Sequence, residues 1–300
     1  MDFSLAEDLR RALPQLKLLT DEPLSRHTTF RIGGAAALMA FPSTAEVLSA
    51  CLRHFASHGE TPRILGAGSN ILAPDEGLNE PVICLRELAA IRRVGDTHVE
   101  AEAGALLSRT AVFAKDAGLT GLEFAHGIPG TVGGAVYMNA GAYGGEICAV
   151  CDAVTVMSVT GDMREIAVDG GTFGYRTSRF EGTDDIIVSA RFALSAGNPD
   201  AIGAQMAALA EKRRASQPLE LPSAGSTFKR PAGGYAAALI DQAGLKGRAV
   251  GGAEVSRKHA GFVVNRGGAT AADVRELMKI IQDTVEKESG IRLEPEVRIW

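Results

Sequence analysis

Leu65-Gly66-Ala67-Gly68-Ser69-Asn70, followed downstream by Gly127-Ile128-Pro129-Gly130-Thr131-Val132-Gly133-Gly134, decides how this chain is read. The second segment runs on into Asn139-Ala140-Gly141-Ala142-Tyr143-Gly144-Gly145. Glycine has no Cβ, so such segments let backbone N–H groups converge on an anion, or let a flat ligand approach the main chain closely. Filling a core needs neither property, and the pair points to a large phosphate-bearing cofactor. Arg63-Ile64-Leu65 reads as a short strand running straight into the first segment. A Rossmann G-x-G-x-x-G opening at Gly66 would need glycine where Ile71 stands, then a helix, for which Pro74 and Gly77 leave no room. The expectation is therefore a nest of loop N–H groups around the phosphates, not a helix N-terminus.

The 300 residues are 46% apolar and 22% charged, enough for a real core and for two or three domains. No stretch is long and apolar enough to cross a bilayer, and the first residues, Met1-Asp2-Phe3-Ser4-Leu5-Ala6-Glu7-Asp8, lack a cationic secretory start. A cytoplasmic protein with no membrane partner is expected. Cys51, Cys84, Cys148 and Cys151 include one C-x-x-C, but no second pair or H-x-x-x-H completes a zinc site, so no metal is expected and the thiols read as reduced. Residues 1–200 carry 16 Lys+Arg against 25 Asp+Glu, or −9, while residues 201–300 carry 15 against 11, or +4. The last third lacks the dense basic clusters and interleaved aromatics of a nucleic-acid surface, so no nucleic acid is expected; a small polyanionic ligand or a plain solvated surface remains open.

Ser43, with Glu46 as a capping box, opens a helix in which Val47, Leu48, Cys51, Leu52 and Phe55 recur at helical spacing. Residues 81–85, 97–101, 153–159 and 185–190 read as strands, and 105–117 as a helix stopped by Gly118. A helix over 199–215 leads into a last unit. That unit holds a helix over 235–243 ended by Gly244, strands over 249–255 and 261–265, a Thr270-capped helix to Ser289, and a final strand over 291–300.

The order L-G-x-G-S-N then G-I-P-G-T-V-G-G resembles the FAD-binding domain shared by the vanillyl-alcohol oxidase and p-cresol methylhydroxylase family. Phe173-Gly174-Tyr175-Arg176-Thr177-Ser178-Arg179-Phe180, Ala224-Gly225-Ser226-Thr227-Phe228-Lys229-Arg230-Pro231 and Leu293-Glu294-Pro295-Glu296-Val297-Arg298 are similar, in that order, to signature segments of the UDP-N-acetylenolpyruvoylglucosamine reductases, the MurB family, in its shorter type. The resemblance spans nearly the full chain. It implies an α+β fold: a two-part FAD-binding region, with subdomains over 1–80 and 81–198, then a smaller α/β substrate-binding domain over 199–300 whose last strand returns toward the flavin. It also implies a monomer that passes hydride from NADPH, through non-covalent FAD, to UDP-N-acetylglucosamine enolpyruvate, making UDP-N-acetylmuramate for peptidoglycan, and hence for cell shape and division.

The same resemblance implies the site residues. Gly66, Ala67, Gly68, Ser69 and Asn70, with Ile71, would hold the pyrophosphate. Gly127, Ile128, Pro129, Gly130, Thr131, Gly133 and Gly134, followed by Asn139, Ala140 and Gly141, would approach isoalloxazine or adenosine, and Arg298 would reach the flavin. Arg176 and Glu296 would stabilise the enolate and Ser226 would donate the proton. Tyr175 and Lys229 would bind substrate, Lys229 at the diphosphate.

The chemistry suits those residue types. Hydride added to an enol ether conjugated to a carboxylate leaves negative charge on that carboxylate, a guanidinium forks onto it, and a serine is a competent acid only toward so basic a carbon. Taken singly, Arg176 reads as a surface arginine, Ser226 as a turn serine, Glu296 as a solvent-facing strand residue and Arg230 as a solubility charge; the ordered motifs reverse this for the first three. Lys246, Arg248, Arg257, Lys258 and His259 are indistinguishable from a solvated face, and His126 reads as a packing or hydrogen-bonding histidine. Another FAD-linked oxidoreductase of the same fold, or a non-catalytic nucleotide-sugar or flavin-binding module, is the alternative.

Overall fold

The computed structural model describes residues 3–300, which divide into two compact units. The first comprises residues 3–22, 37–67 and 79–212, and the second 23–36, 68–78 and 213–300.

In the first unit a four-stranded sheet is ordered Lys17–Pro23, Ala35–Phe41, Val82–Cys84, Arg63–Leu65. The pairs Met39↔Val82 and Ile64↔Ile83 run parallel. Two strands that flank a common neighbour in parallel need a crossover, and the helix Ala45–Ser57 supplies it. Its N-cap is Thr44, not Ser43: the Thr44 hydroxyl accepts from the Val47 N–H at 3.3 Å. Leu48, Cys51, Leu52 and Phe55 bury the apolar stripe. A second, antiparallel sheet is ordered Met163–Ala167, Cys151–Met157, Ile186–Ala193, His98–Glu102, Ile91–Val94. Val154, Val156, Ala190 and Phe192 bury one side of it with the helices Leu107–Asp116 and Val132–Tyr137 in a single core. The latter helix was not foreseen, because Gly133 and Gly134 lower helix propensity.

The second unit packs the helices Ala236–Gln242 and Ala271–Ser289 with a small antiparallel sheet through Ile240, Val255, Leu277 and Ile281. Residues 249–255 form not one strand but a hairpin, Ala249–Val250 with Ala253–Val255, because Gly251 at φ 50 turns the chain. The expected strand over 291–300 shortens to Arg298–Ile299, paired in parallel with Ile71–Leu72, since only Ile71 and Leu72 offer a ladder. The Ala271–Ser289 helix is as read, and Thr270 and Asp273 close a reciprocal capping box. Asp75 adds its two carboxylate oxygens to the Ala271 and Ala272 N–H groups at 2.7 and 3.0 Å.

All four cysteines are free, and burial pushes the Cys51 and Cys151 thiols up to about 12. No helix among the described residues is long and apolar enough to cross a membrane.

The Thr270 backbone N–H holds the Asp273 carboxyl below the usual carboxylate range. A depressed carboxyl stabilises the fold above its unfolded pKa and loses that contribution as pH falls through the folded value. Thr270→Ala, which removes the hydroxyl that accepts from the Asp273 N–H, is expected to cost about 1 kcal/mol in denaturant unfolding. The deficit of Asp273→Ala at pH 7 is expected to shrink as pH falls through the lowered folded pKa and to vanish once the carboxyl is protonated; a deficit independent of pH would show that the carboxylate charge is not what caps the helix.

Candidate functional site

The two glycine segments meet inside the first unit. A Cβ on Gly66 would stand 2.4 Å from Thr131 Oγ1, closer than packed atoms approach, and Thr131 is itself buried. Thr131 is held in turn. It is the N-cap residue of Val132–Tyr137, and the Val132 and Gly133 N–H groups donate to Ala105 and Ala103 carbonyls at 2.9 Å. A Cβ on Gly133 would lie 2.8 Å from the Ala103 Cβ, so this glycine also serves close packing. Beside Gly127, His126 Nδ1 is buried with no hydrogen-bond partner, a polar atom left for a ligand to satisfy.

Downstream, the chain stores backbone strain. Among the described residues, five non-glycines have left-handed φ: Asp21, Arg31, Asn139, Tyr143 and Arg176. Two of them, Asn139 and Arg176, belong to one hydrogen-bonded network, and such clustering marks functional sites. Asn139, buried at φ 46, donates from Nδ2 to the Gly174 carbonyl at 3.0 Å and to Glu146 Oε2 at 3.2 Å, while its Oδ1 accepts from the Cys148 N–H at 2.9 Å. Gly174 begins the turn of a tight hairpin, Phe173–Gly174 with Thr177–Ser178, whose two turn residues are Tyr175 and Arg176. The far strand is fixed by the Ser178 hydroxyl on the Tyr137 carbonyl at 2.7 Å. Arg176, at φ 55, donates from its guanidinium to the Gly141 carbonyl at 3.2 Å. Tyr175 is 49% exposed, with the Arg176 guanidinium 5.5 Å from its ring centre.

Gly68, Ser69, Asn70 and Ile71 belong to the second unit, where Gly68 turns at φ 61 with no room for a Cβ, 2.2 Å from the His27 carbonyl oxygen. The Thr29 N–H donates to Gly68 O at 3.1 Å and its hydroxyl to Ser223 O at 2.7 Å, tying this loop to the segment that carries Ser226. Asn70 Nδ2 donates to the Glu296 carbonyl at 2.9 Å, and the Asn70 carbonyl accepts from the Arg298 N–H at 2.9 Å. The Glu296 N–H donates to Thr227 O at 2.9 Å. Ser226 is exposed beside Gly225, whose φ is 78.

Lys229, whose N–H donates to Glu294 O at 2.8 Å, pairs its ammonium with the Glu294 carboxylate. The sequence named Glu294 only as a neighbour, so this partner was missed. Arg230 lies 4.0 Å over the Tyr235 ring, Lys246 pairs with Asp241 and Arg257 with Glu254, as expected of a charged surface. His259 is pushed below the usual histidine pKa by burial.

The expected residues thus form two groups: Gly66, Thr131, Asn139, Gly141, Tyr175 and Arg176 in the first unit, and Gly68, Asn70, Ser226, Lys229, Glu296 and Arg298 in the second. No cluster of three or more His, Cys, Asp or Glu side chains able to hold a metal occurs among the described residues.

A family model described as FAD binding domain matches residues 35–167, and one described as UDP-N-acetylenolpyruvoylglucosamine reductase, C-terminal domain, matches residues 217–300. The UDP-N-acetylenolpyruvoylglucosamine reductase of Levilactobacillus brevis is 46% identical over 292 residues, 97% of this chain and 96% of that protein. The chain belongs to the UDP-N-acetylenolpyruvoylglucosamine reductase family. The crystal structure of the family's enzyme from Thermus caldophilus has a TM-score of 0.80 at 36% identity, over 95% of this chain and 99% of that one. Alkyldihydroxyacetonephosphate synthase, at 17% identity and a TM-score of 0.50 over 64% of this chain and 40% of its own, shares the fold. The α+β reading, an FAD-binding region followed by a C-terminal domain, is borne out, and the reductase family is one of FAD-dependent oxidoreductases.

Gly66→Ala is expected to lower stability by about 2 kcal/mol and to reduce flavin retention, since Thr131 is too enclosed to yield. Adding Thr131→Ala, which removes the opposing oxygen, is expected to restore part of both in a double-mutant cycle. Strict additivity of the two substitutions would show that the segments are not coupled at this contact.

Proposed function

We propose that the chain takes hydride from NADPH and delivers it to the enolpyruvyl ether of UDP-N-acetylglucosamine, giving UDP-N-acetylmuramate for peptidoglycan. The reading rests most on Arg176: a non-glycine residue in left-handed backbone, at the tip of a hairpin bonded on both sides to the second glycine segment. Left-handed backbone costs a non-glycine residue about 1 kcal/mol, and nothing in a plain hairpin asks for arginine there.

FAD, when bound, supplies the two-electron relay between nicotinamide and enol ether. The residues fit that group: Gly66 and Gly68 keep the first segment free of side chains, and His126 offers an unsatisfied ring nitrogen beside the second. Gly66, Ala67, Gly68, Ser69, Asn70 and Ile71 would hold the pyrophosphate. Residues 127–134, Asn139, Ala140, Gly141 and Arg298 would line the rest of the cofactor. Within this scheme residues 1–80 and 81–198 serve FAD and 199–300 the sugar nucleotide, in a cytoplasmic monomer.

The Arg176 guanidinium stabilises the carboxylate on which negative charge develops, a preorganised cation that needs no reorientation as the charge appears. Glu296 offers its carboxyl to the same substrate, with its backbone fixed on one side by Thr227 and on the other by Asn70. Ser226 gives its hydroxyl proton to the carbon next to the carboxylate, its O–H bond breaking as the C–H bond forms, and the alkoxide recovers a proton from solvent. Tyr175 and Lys229 bind substrate; Lys229 reaches a diphosphate by exchanging its Glu294 partner for phosphate oxygens.

Arg176→Gly separates strain from function. Turnover is expected to fall roughly 100-fold or more while Tm holds or rises, because glycine accepts this backbone freely. Near-normal turnover would remove Arg176 from the chemistry. In Ser226→Ala, stopped-flow is expected to show normal flavin bleaching by NADPH and greatly slowed reoxidation by the enolpyruvyl nucleotide. Equal slowing of the two phases would make Ser226 structural.

A further inference from the structure

We infer that Thr227 is the positioning residue that sets Ser226 and Glu296 in register, an assignment that rests on the roles proposed for those two residues. Thr227 is 3% exposed, whereas Ser226 before it is open to solvent. Its three polar groups all bond to other segments. The N–H donates to Gly261 O at 2.8 Å, Oγ1 accepts from the Val263 N–H at 3.0 Å, and the carbonyl accepts from the Glu296 N–H at 2.9 Å. One residue therefore joins the Ser226 segment, the 261–263 segment and the Glu296 segment.

Only one of those bonds depends on what residue 227 is. The main-chain bonds survive any substitution except proline, but the bond from Val263 needs an oxygen on the side chain, and it ties the Thr227 side chain to the 261–263 segment. Gly225, at φ 78 and without a side chain, restrains Ser226 little from the other direction, so the anchoring falls to Thr227. The surface that Thr227 grips is itself rigid. Ser256 Oγ accepts from the Lys258 and His259 N–H groups at 3.2 Å, and His259 Nδ1 accepts from the Gly261 N–H at 3.1 Å. On the other side, Phe228 bridges Pro295, so the segments carrying Ser226 and Glu296 run antiparallel immediately beyond Thr227. Loss of the hydroxyl would leave the buried Val263 N–H without an acceptor. The segment would then shift to relieve it, carrying Ser226 with it. A displacement of ~1 Å at a reacting group is enough to lower a rate by about 100-fold.

The test compares Thr227→Val, the same shape without the acceptor, with Thr227→Ser, which keeps it. In the FAD-loaded protein Thr227→Val is expected to leave bleaching by NADPH unchanged and to slow reoxidation by the enolpyruvyl nucleotide by roughly tenfold or more, with a larger solvent isotope effect. Thr227→Ser is expected to restore the wild-type rate. Hydrogen exchange gives a second readout that needs no turnover: the Val263 and Glu296 amides are expected to lose protection in Thr227→Val and keep it in Thr227→Ser. Wild-type reoxidation in Thr227→Val, equal slowing of both half-reactions, or unchanged protection of both amides would overturn the inference. If Thr227→Val does not fold, Thr227→Cys, a weaker and longer acceptor, must show the same selective loss in smaller degree or the inference fails. Wild-type protein that never reoxidises with the nucleotide would instead sink the proposed reaction, while the exchange data would still judge the placement of Thr227.

Discussion

The contact between Gly66 and Thr131 is the constraint on which the first unit's cofactor region depends. The distance permits no side chain at position 66, and Thr131 cannot retreat because its neighbours are bonded to Ala103 and Ala105. The close approach puts the end of a short parallel strand against the start of a short helix. The glycines at 66 and 133 therefore each let their segment pack closely, one against Thr131 and the other against Ala103.

The second unit solves a related problem with hydrogen bonds instead of missing side chains. Glu296 lies in a stretch with hardly any strand pairing, yet its N–H and C=O are both engaged, by Thr227 and by the Asn70 carboxamide. Asn70 thus links the first glycine segment to the acid. In the first unit the Asn139 carboxamide plays the corresponding part for the hairpin of Arg176. In each unit a carboxamide from a glycine-rich loop holds the backbone at or beside a residue of the proposed chemistry. A carboxamide can donate to one backbone group through Nδ2 and accept from another through Oδ1, as Asn139 does.

Much of this was legible in the sequence, for identifiable reasons. The glycine segments stood out because a core has no use for them, and Ile71 with Pro74 excluded the Rossmann alternative within a few residues. The helix ending at Ser289 was legible at both ends, since Thr270 caps locally and Gly290 accepts left-handed backbone at φ 72. What escaped depended on partners distant in sequence. Asn139 read as a cofactor residue, and nothing local shows that its carboxamide spans to Gly174 and Cys148. Thr227 read as an unremarked member of a motif, because Val263 and Glu296 lie far along the chain. The 249–255 segment reads as one strand only if the Gly251-Gly252 pair, a two-residue hairpin signal, is passed over. The strands Lys17–Pro23 and Ala35–Phe41 went unread, the latter being a continuous apolar run that periodicity cannot distinguish from a buried helix.

The central claim is that reduced flavin held by this chain passes its electrons to an enolpyruvyl sugar nucleotide. The most direct measurement is an anaerobic titration of dithionite-reduced holoprotein with UDP-N-acetylglucosamine enolpyruvate, followed by flavin absorbance, with no nicotinamide present. The account predicts that colour returns in proportion to the nucleotide added, one flavin reoxidised for each UDP-N-acetylmuramate formed. Flavin that stays bleached with the nucleotide and recovers only when oxygen is admitted would contradict it.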